Sequence, residues 1–282
     1  MQPDRARRRA DACQQRLAKI PILLKRFRQS VLAAACSGRL TADWREDDSY
    51  EDDLPIGWRW TELEALLPAG GIFDGPFGSN LKTSDYTTSG VRVIRLENIG
   101  HLRFIGEKET FVSREKYEAL KKHTVGEGDI IFASFIAEEI RARVLPKLST
   151  KAIAKADCFC LRPKKDLVHR KYLVLQLVSQ ESYNALVENV HGATRPRINT
   201  TQLRRLKVRM CPLAEQKEIV RRAEALFALA DQIDVRYAKA VAHVEKLTQS
   251  ILAKAFDGEL VPQDPNDEPA SVLLERIRNA KG

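Results

Sequence analysis

Long apolar runs are missing from this 282-residue sequence. None approaches the ~18 consecutive apolar residues that a membrane-spanning helix needs. Met1–Ala10 is basic with no apolar stretch behind it, so no signal peptide is expected. Cysteine is scarce and unpatterned: five residues, an odd number, with no C-x-x-C pair. The five histidines are scattered and do not cluster with the cysteines, which leaves no zinc site to propose. Cys158 and Cys160 alternate as residues on one face of a strand would, and thiols like these suit a reducing cytoplasm.

Catalytic signatures are missing as well. The sequence contains no GxxxxGK[ST], no GxSxG and no HExxH. The Asp/Asn-Pro-Pro-aromatic tetrapeptide of amino-methylation is absent, and Gly75, Gly78 and Gly90 do not form GxGxxG. Glu138 and Glu139 are adjacent, so their side chains diverge on a helix or a strand alike. The expectation is a chain with no catalytic residue, metal or cofactor of its own.

What is present is charge, and it is segregated. The net charge is +9, which speaks to partners rather than to fold. Residues 1–45 hold eleven Lys/Arg against three Asp/Glu, whereas Glu46–Asp53 carries six acids in eight residues. From Gly192 to Ala214 there are six Arg/Lys and no acid. Cations this close repel one another unless a polyanion or an acidic surface meets them.

A repeat frames the chain. Gln29–Leu40, QSVLAAACSGRL, recurs 220 residues later as Gln249–Leu260, QSILAKAFDGEL. Each copy reads as a helix end stopped by a glycine. Apolar residues upstream match too. Cys13, Leu17, Ile20, Leu24, Phe27 and Val31 are spaced 4, 3, 4, 3, 4, as are Ile233, Tyr237, Ala240, Val244, Leu247 and Ile251. The second series extends back through Ala230, Leu226, Ala223 and Ile219. A 3.5-residue repeat is a coiled-coil seam. The second helix is expected from about Ala214 to Phe256, and a helix of that length needs a partner helix, from this chain or from a second copy. Pro21 should kink or restart the first helix.

Between the repeats the pattern shortens to β-like runs and turns. Gly90–Ile99, Ile130–Phe135, Ala152–Leu161 and Leu206–Met210 read as strands, and Glu115–Lys122 and Arg170–Val190 as helices. The expected architecture is α+β: a mixed α/β domain flanked by long coiled-coil helices. Its segments are an N-terminal helix repeat (1–45), an acidic linker (46–53), the mixed domain (54–212), a coiled-coil helix (213–260) and a tail (261–282).

Three loops of the mixed domain carry side chains suited to DNA. Phe73–Tyr86 offers Ser79, Asn80, Lys82, Ser84 and Tyr86; Ala137–Lys147 offers Arg141, Arg143 and Lys147; Gly192–Asn199 offers Thr194, Arg195, Arg197 and Asn199. Short hydroxyls and backbone NH groups suit phosphates. Arginine can bond guanine O6 and N7 together, and asparagine adenine N6 and N7. Any one arginine taken alone would be an ordinary solvated surface residue.

Several motifs, in this order and spacing, resemble those of specificity subunits of Type I restriction–modification systems. They are Leu54-Pro55-x-Gly57-Trp58; Gly75-Pro76-Phe77-Gly78-Ser79-x-Leu81 with Tyr86; and Gly90-Val91-x-Val93-Ile94-Arg95 with Asn98-Ile99. Gly128-Asp129-Ile130, Arg195-Pro196-Arg197-Ile198-Asn199 and Pro212-Leu213-Ala214-Glu215-Gln216 follow, together with the two repeats. The resemblance implies a non-catalytic subunit whose target-recognition domain reads double-stranded DNA, with Arg95 and Asn98 added to the DNA-contacting set. Its helices would bind modification subunits, which carry S-adenosylmethionine, and a motor subunit would join for restriction. ATP and magnesium belong to such partners. Two departures stand out. The family usually carries two recognition domains, so this chain resembles a half-subunit or the C-terminal half of a longer subunit, and two copies are expected to pair through Leu17, Leu24, Phe27, Val31, Leu226, Ile233, Tyr237, Val244, Leu247 and Ile251. Ser134–Leu145 also lacks the family's glycine-rich turn. The competing expectation is a coiled-coil scaffold whose basic loops meet acidic protein.

Overall fold

The computed structural model describes residues 12–188, 196–257, 259 and 268–280. Packing divides the chain into two compact units: Arg28–Phe227, and a smaller one made of Met1–Phe27 with Ala228–Gly282.

Both terminal segments are helical. Residues 12–17 are helical, residues 18 and 19 form a turn, and α1 then runs Ile20–Cys36. The restart falls where Pro21 stands, in the first turn of α1, the one place where a missing N–H costs nothing. Beyond Cys36 the chain turns at Gly38, whose φ of 79° is left-handed. A Cβ there would meet Pro55 Cγ at 2.6 Å, so glycine is required for space as well as for conformation.

Eleven strands matter for the site. They are β1 Arg59–Glu62, β2 Ile72–Phe73, β3 Tyr86–Thr87, β4 Val91–Ile94, β5 Phe111–Val112, β6 Thr124–Val125, β7 Ile130–Ala133, β8 Ala142–Val144, β9 Ala152–Ala154, β10 Cys158–Leu161 and β11 Lys207–Met210. One sheet has the order β6-β9-β4-β5-β3, with β9 parallel to β4 and Ile153 opposite Val93. A second has the order β8-β7-β10-β2, with Cys160 opposite Phe73. β11 pairs with β1, Val208 opposite Thr61. The helices between them are α2 Arg114–Ala119, α3 Arg170–Leu177, α4 Gln180–Val187 and α5 Thr200–Arg204. Then α6, Leu213–Phe256, runs 44 residues, roughly 66 Å at ~1.5 Å per residue. A short helix, α7 Ala270–Asn279, follows.

Three expected elements divide in two. The run Ala152–Leu161 becomes β9 and β10, which belong to different sheets. The chain switches sheets at Lys155–Asp157, where Asp157 takes a φ of 71°. The run Arg170–Val190 breaks after Leu177, because Ser179 caps α4 by accepting from Ser182 N at 3.2 Å. Glu115–Lys122 also splits, into α2 and a single 3-10 turn at Lys121–His123. The expected loop Ala137–Lys147 is corrected as well: it contains β8, with Arg143 opposite Ile131.

The core of the larger unit joins both sheets and the helices. Phe132 and Phe159 stack with centroids 6.3 Å apart. The end of α1 belongs to the same unit. Val31, Leu32, Ala35 and Cys36 are buried, and the Cys36 thiol donates to Leu175 O at 3.4 Å. Burial pushes that thiol up to about 12, so it is unreactive. The start of α6 is anchored equally firmly. Glu215 accepts from Thr41 Oγ1 and Arg45 Nη1, both at 2.7 Å, and from Trp58 Nε1 at 2.9 Å. Gln216 donates to Leu167 O and Cys211 O and accepts from His169 N. The Glu-Gln pair after Pro212 is therefore a structural junction.

In the smaller unit the expected seam is kept in part. Leu24 is buried, and Leu17, Ile20 and Phe27 are partly so. On α6 Tyr237, Ala240, Val244 and Ile251 of that seam are half-buried, joined by Val241 and Thr248. Ile233 and Leu247, expected in the seam, are exposed, and Leu229, Val235, Leu252 and Phe256 are exposed beside them. Val31 and Leu226 fall in the larger unit instead. Among the described residues no helix is long and apolar enough to cross a membrane.

Candidate nucleic-acid interface

The loop after β2 is shaped by what it rests on. Gly75 lies against the turn between β9 and β10: a Cβ there would stand 2.1 Å from the carbonyl carbon of Lys155. Leu81 anchors the far end of the loop in a buried cluster with Val91, Val93, Val112, Tyr117, Leu120 and Ile153. Phe77, Ser79 and Asn80 stay exposed between the two anchors, and Lys82 and Ser84 are exposed just beyond Leu81. Tyr86 closes the loop. Its hydroxyl accepts from Lys155 Nζ at 2.6 Å, and Arg95 packs over its ring at 5.5 Å.

The segment before α5 reaches the same place. Ile198 N donates to Ser134 O and Ile136 N to Pro196 O, both at 3.0 Å, which pins Arg197 beside the end of β7. The Arg197 guanidinium lies 5.7 Å from the Phe77 ring centroid and 5.8 Å from that of Phe135. Its Nη2 meets Asp157 Oδ1 at 2.5 Å, and Ser134 Oγ donates to the same oxygen at 3.0 Å. Asn199 caps α5, accepting from Gln202 N at 2.9 Å.

Together these elements line an open cleft of about 260 Å³, formed by Asp74, Phe77, Phe159, Arg197, Ile198, Asn199 and Thr200. Asp74 is held by the Gly75 N–H at 2.7 Å. Partial burial raises its carboxyl from 3.8 to about 6, the Gly75 N–H opposes the rise, and the charge of Asp157 adds to it. Neither aspartate could have been placed from the sequence. They are more than 80 residues apart, and only the sheet switch at Lys155–Asp157 brings them together.

The other expected residues go elsewhere. Arg141 Nη1 donates to Leu96 O and Ile99 O, and Arg143 Nη1 to Leu102 O at 2.6 Å, so both arginines brace the Leu96–Leu102 turn. Lys147 is exposed beyond β8. Asn98 is buried, and its amide is fully used: it donates to Ile105 O and Lys108 O and accepts from Arg95 N. It therefore holds its own turn and is withdrawn from the DNA-contacting set. Thr194 and Arg195 lie outside the described residues. Among the described residues, no group of three or more His, Cys, Asp or Glu is placed to hold a metal.

The specificity subunit of the Type I restriction enzyme EcoBI from Escherichia coli is 31% identical over 95% of this chain and 59% of its own length. That of StySPI from Salmonella potsdam is 34% identical over 95% of this chain and 58% of its own. The chain thus spans under two thirds of these relatives. Among solved structures, a chain from a study of complex assembly and conformational transition in the type I R-M system superposes with a TM-score of 0.60. It is 19% identical and covers 92% of this chain and 60% of that one. The HsdS subunit from Thermoanaerobacter tengcongensis gives a TM-score of 0.50 at 18% identity, over 91% of this chain and 58% of that one. These two likenesses concern the fold alone. Residues 80–236 match the Type I restriction modification DNA specificity domain, and the chain belongs to that family.

Proposed function

We propose that this chain is a DNA-reading subunit, or the corresponding part of a longer one, in a Type I restriction–modification enzyme. It recognises part of a two-part target and docks methyltransferase subunits. It carries no chemistry itself: methyl transfer, with S-adenosylmethionine, and ATP- and magnesium-dependent restriction belong to partner subunits working beside it in the cytoplasm. The observation that carries this reading is the meeting of the Phe73–Tyr86 loop with the segment before α5, around the half-exposed guanidinium of Arg197, in a chain of the specificity-domain family. Ser79, Asn80, Lys82 and Ser84 extend the same loop as exposed donors for phosphate. The exposed apolar residues of α6, Leu229, Val235, Leu247, Leu252 and Phe256, support pairing with a second copy through the smaller unit.

Salt titration of duplex binding tests the proposal. If the basic loops neutralise Z phosphates, the logarithm of the binding constant falls with that of salt at a slope of about −0.9Z. Such a slope, together with a preferred sequence at moderate salt, is the expected result. Salt-resistant capture of an acidic protein with no preferred DNA sequence would place the chain among coiled-coil scaffolds instead.

A further inference from the structure

The cleft presents two side chains of opposite hydrogen-bonding character. Arg197 has only donors, in a planar fork, and ionised Asp74 has only acceptors. Both line the same opening. The fork is orientated before any ligand arrives, because two phenyl rings flank it and Asp157 holds Nη2. A preorganised fork loses less freedom when it binds.

In the major groove, a G·C pair shows two adjacent acceptors, guanine N7 and O6, followed by the cytosine N4 amino donor. Adenine sets an N6 donor beside N7, where it would meet the second N–H of the fork. In that A·T order the partner thymine's O4 would also face the carboxylate and repel it, whereas thymine in guanine's place puts its methyl where guanine has N7 and leaves the fork one acceptor short. Only the G·C order satisfies a donor fork followed by an acceptor without conflict.

We infer that the Asp74–Arg197 cleft reads one G·C base pair of the target, Arg197 donating to guanine N7 and O6 and Asp74 accepting from cytosine N4. Asp157 and Ser134 act as positioning residues for the guanidinium. This inference rests on the DNA-reading function proposed above and makes it specific.

The test uses the full chain assembled with its modification subunits and a library of randomised duplexes, with bound sequences counted. The wild type, Arg197→Lys and Asp74→Asn are compared, with thermal melting run alongside to show that each variant folds. The wild-type motif is expected to contain a fixed G·C position. Each variant should lower discrimination there by about 5- to 150-fold and leave the other positions unchanged. Asp157→Asn should weaken the same position alone. A wild-type motif that both Arg197→Lys and Asp74→Asn retain at every position would overturn the inference and leave the DNA-reading function standing. An even loss at all positions would also overturn it, since that is how a phosphate contact behaves. A wild-type assembly that enriches no sequence would remove the proposed function, and the inference with it.

Discussion

The indole Nε1 of Trp58 donates to Glu215 Oε2 at 2.9 Å, although 157 positions separate the two residues. The Glu215 side chain is almost wholly buried, and Thr41 and Arg45 fill its other oxygen. One carboxylate thus ties together the turn after α1, the start of the mixed domain and the first turn of α6. Removing one partner of a buried charged pair strands the other and costs about 3–5 kcal/mol. Glu215→Ala is expected to lose that much stability in urea denaturation while the unfolding transition stays cooperative. A loss below about 1 kcal/mol would mean that the junction is held by packing alone.

Gly75→Ala should act on recognition more than on stability. The added methyl would collide with the carbonyl of Lys155, which is backbone and cannot swing aside. The loop must lift, taking Asp74 and Phe77 off the cleft, while Leu81 keeps its anchor in the core. The expected result is at least a tenfold loss in specific over non-specific DNA binding, with a melting temperature close to wild type. Unchanged discrimination would show that the loop does not need its seat on Lys155.

Asp74 makes two pH trends run in opposite directions. Its folded-state pKa is raised from 3.8 to about 6, so between those values the folded state keeps a proton that the unfolded state has released. Stability therefore falls as pH rises through that window and is level above it. Base discrimination should rise over the same window, because the ionised carboxylate is the stronger acceptor for cytosine N4 and carries no O–H donor to compete. Asp157, Arg197 and the buried Cys158 thiol surround the group, and His123 Nδ1 contacts its backbone carbonyl at 2.8 Å. Asp74→Asn should flatten both curves, as read by denaturation and by competition binding from pH 4.5 to 7.5. A variant that keeps the wild-type pH profile would assign the titration to another group.

Leu247 is 45% exposed on α6, within the proposed pairing surface. A charge there costs nothing in a lone helix but cannot be buried against a second one. Leu247→Asp is expected to halve the mass seen by light scattering and to leave duplex affinity per recognition domain within about threefold. A wild-type assembly would exclude Leu247 from the pairing surface.

Much of the architecture was legible in the sequence because it is periodic or locally coded. The 3.5-residue spacing gave α6 nearly to the residue, Gly38 marked the stop after α1, and Pro21 marked the restart. The strands Val91–Ile94, Ile130–Ala133 and Lys207–Met210 lie inside runs rich in β-branched or apolar residues. Two-residue strands such as Ile72–Phe73 and Phe111–Val112 carry no period and are set by their pairing partners. Long-range pairing was likewise beyond reach. Nothing local to Arg141 or Asn98 says that their polar groups will be spent on backbone carbonyls. Nothing local to Asp74 says that a turn near residue 157 will bring a second carboxylate to it.

The measurement that bears most directly on the whole account is a map of methylated adenines in plasmid DNA. The full chain would be incubated with its modification subunits and S-adenosylmethionine, and the plasmid then sequenced for modified bases. The account expects methylation confined to one discontinuous sequence that disappears when the chain is left out. Methylation scattered without sequence context, or an unchanged pattern in the absence of the chain, would contradict it.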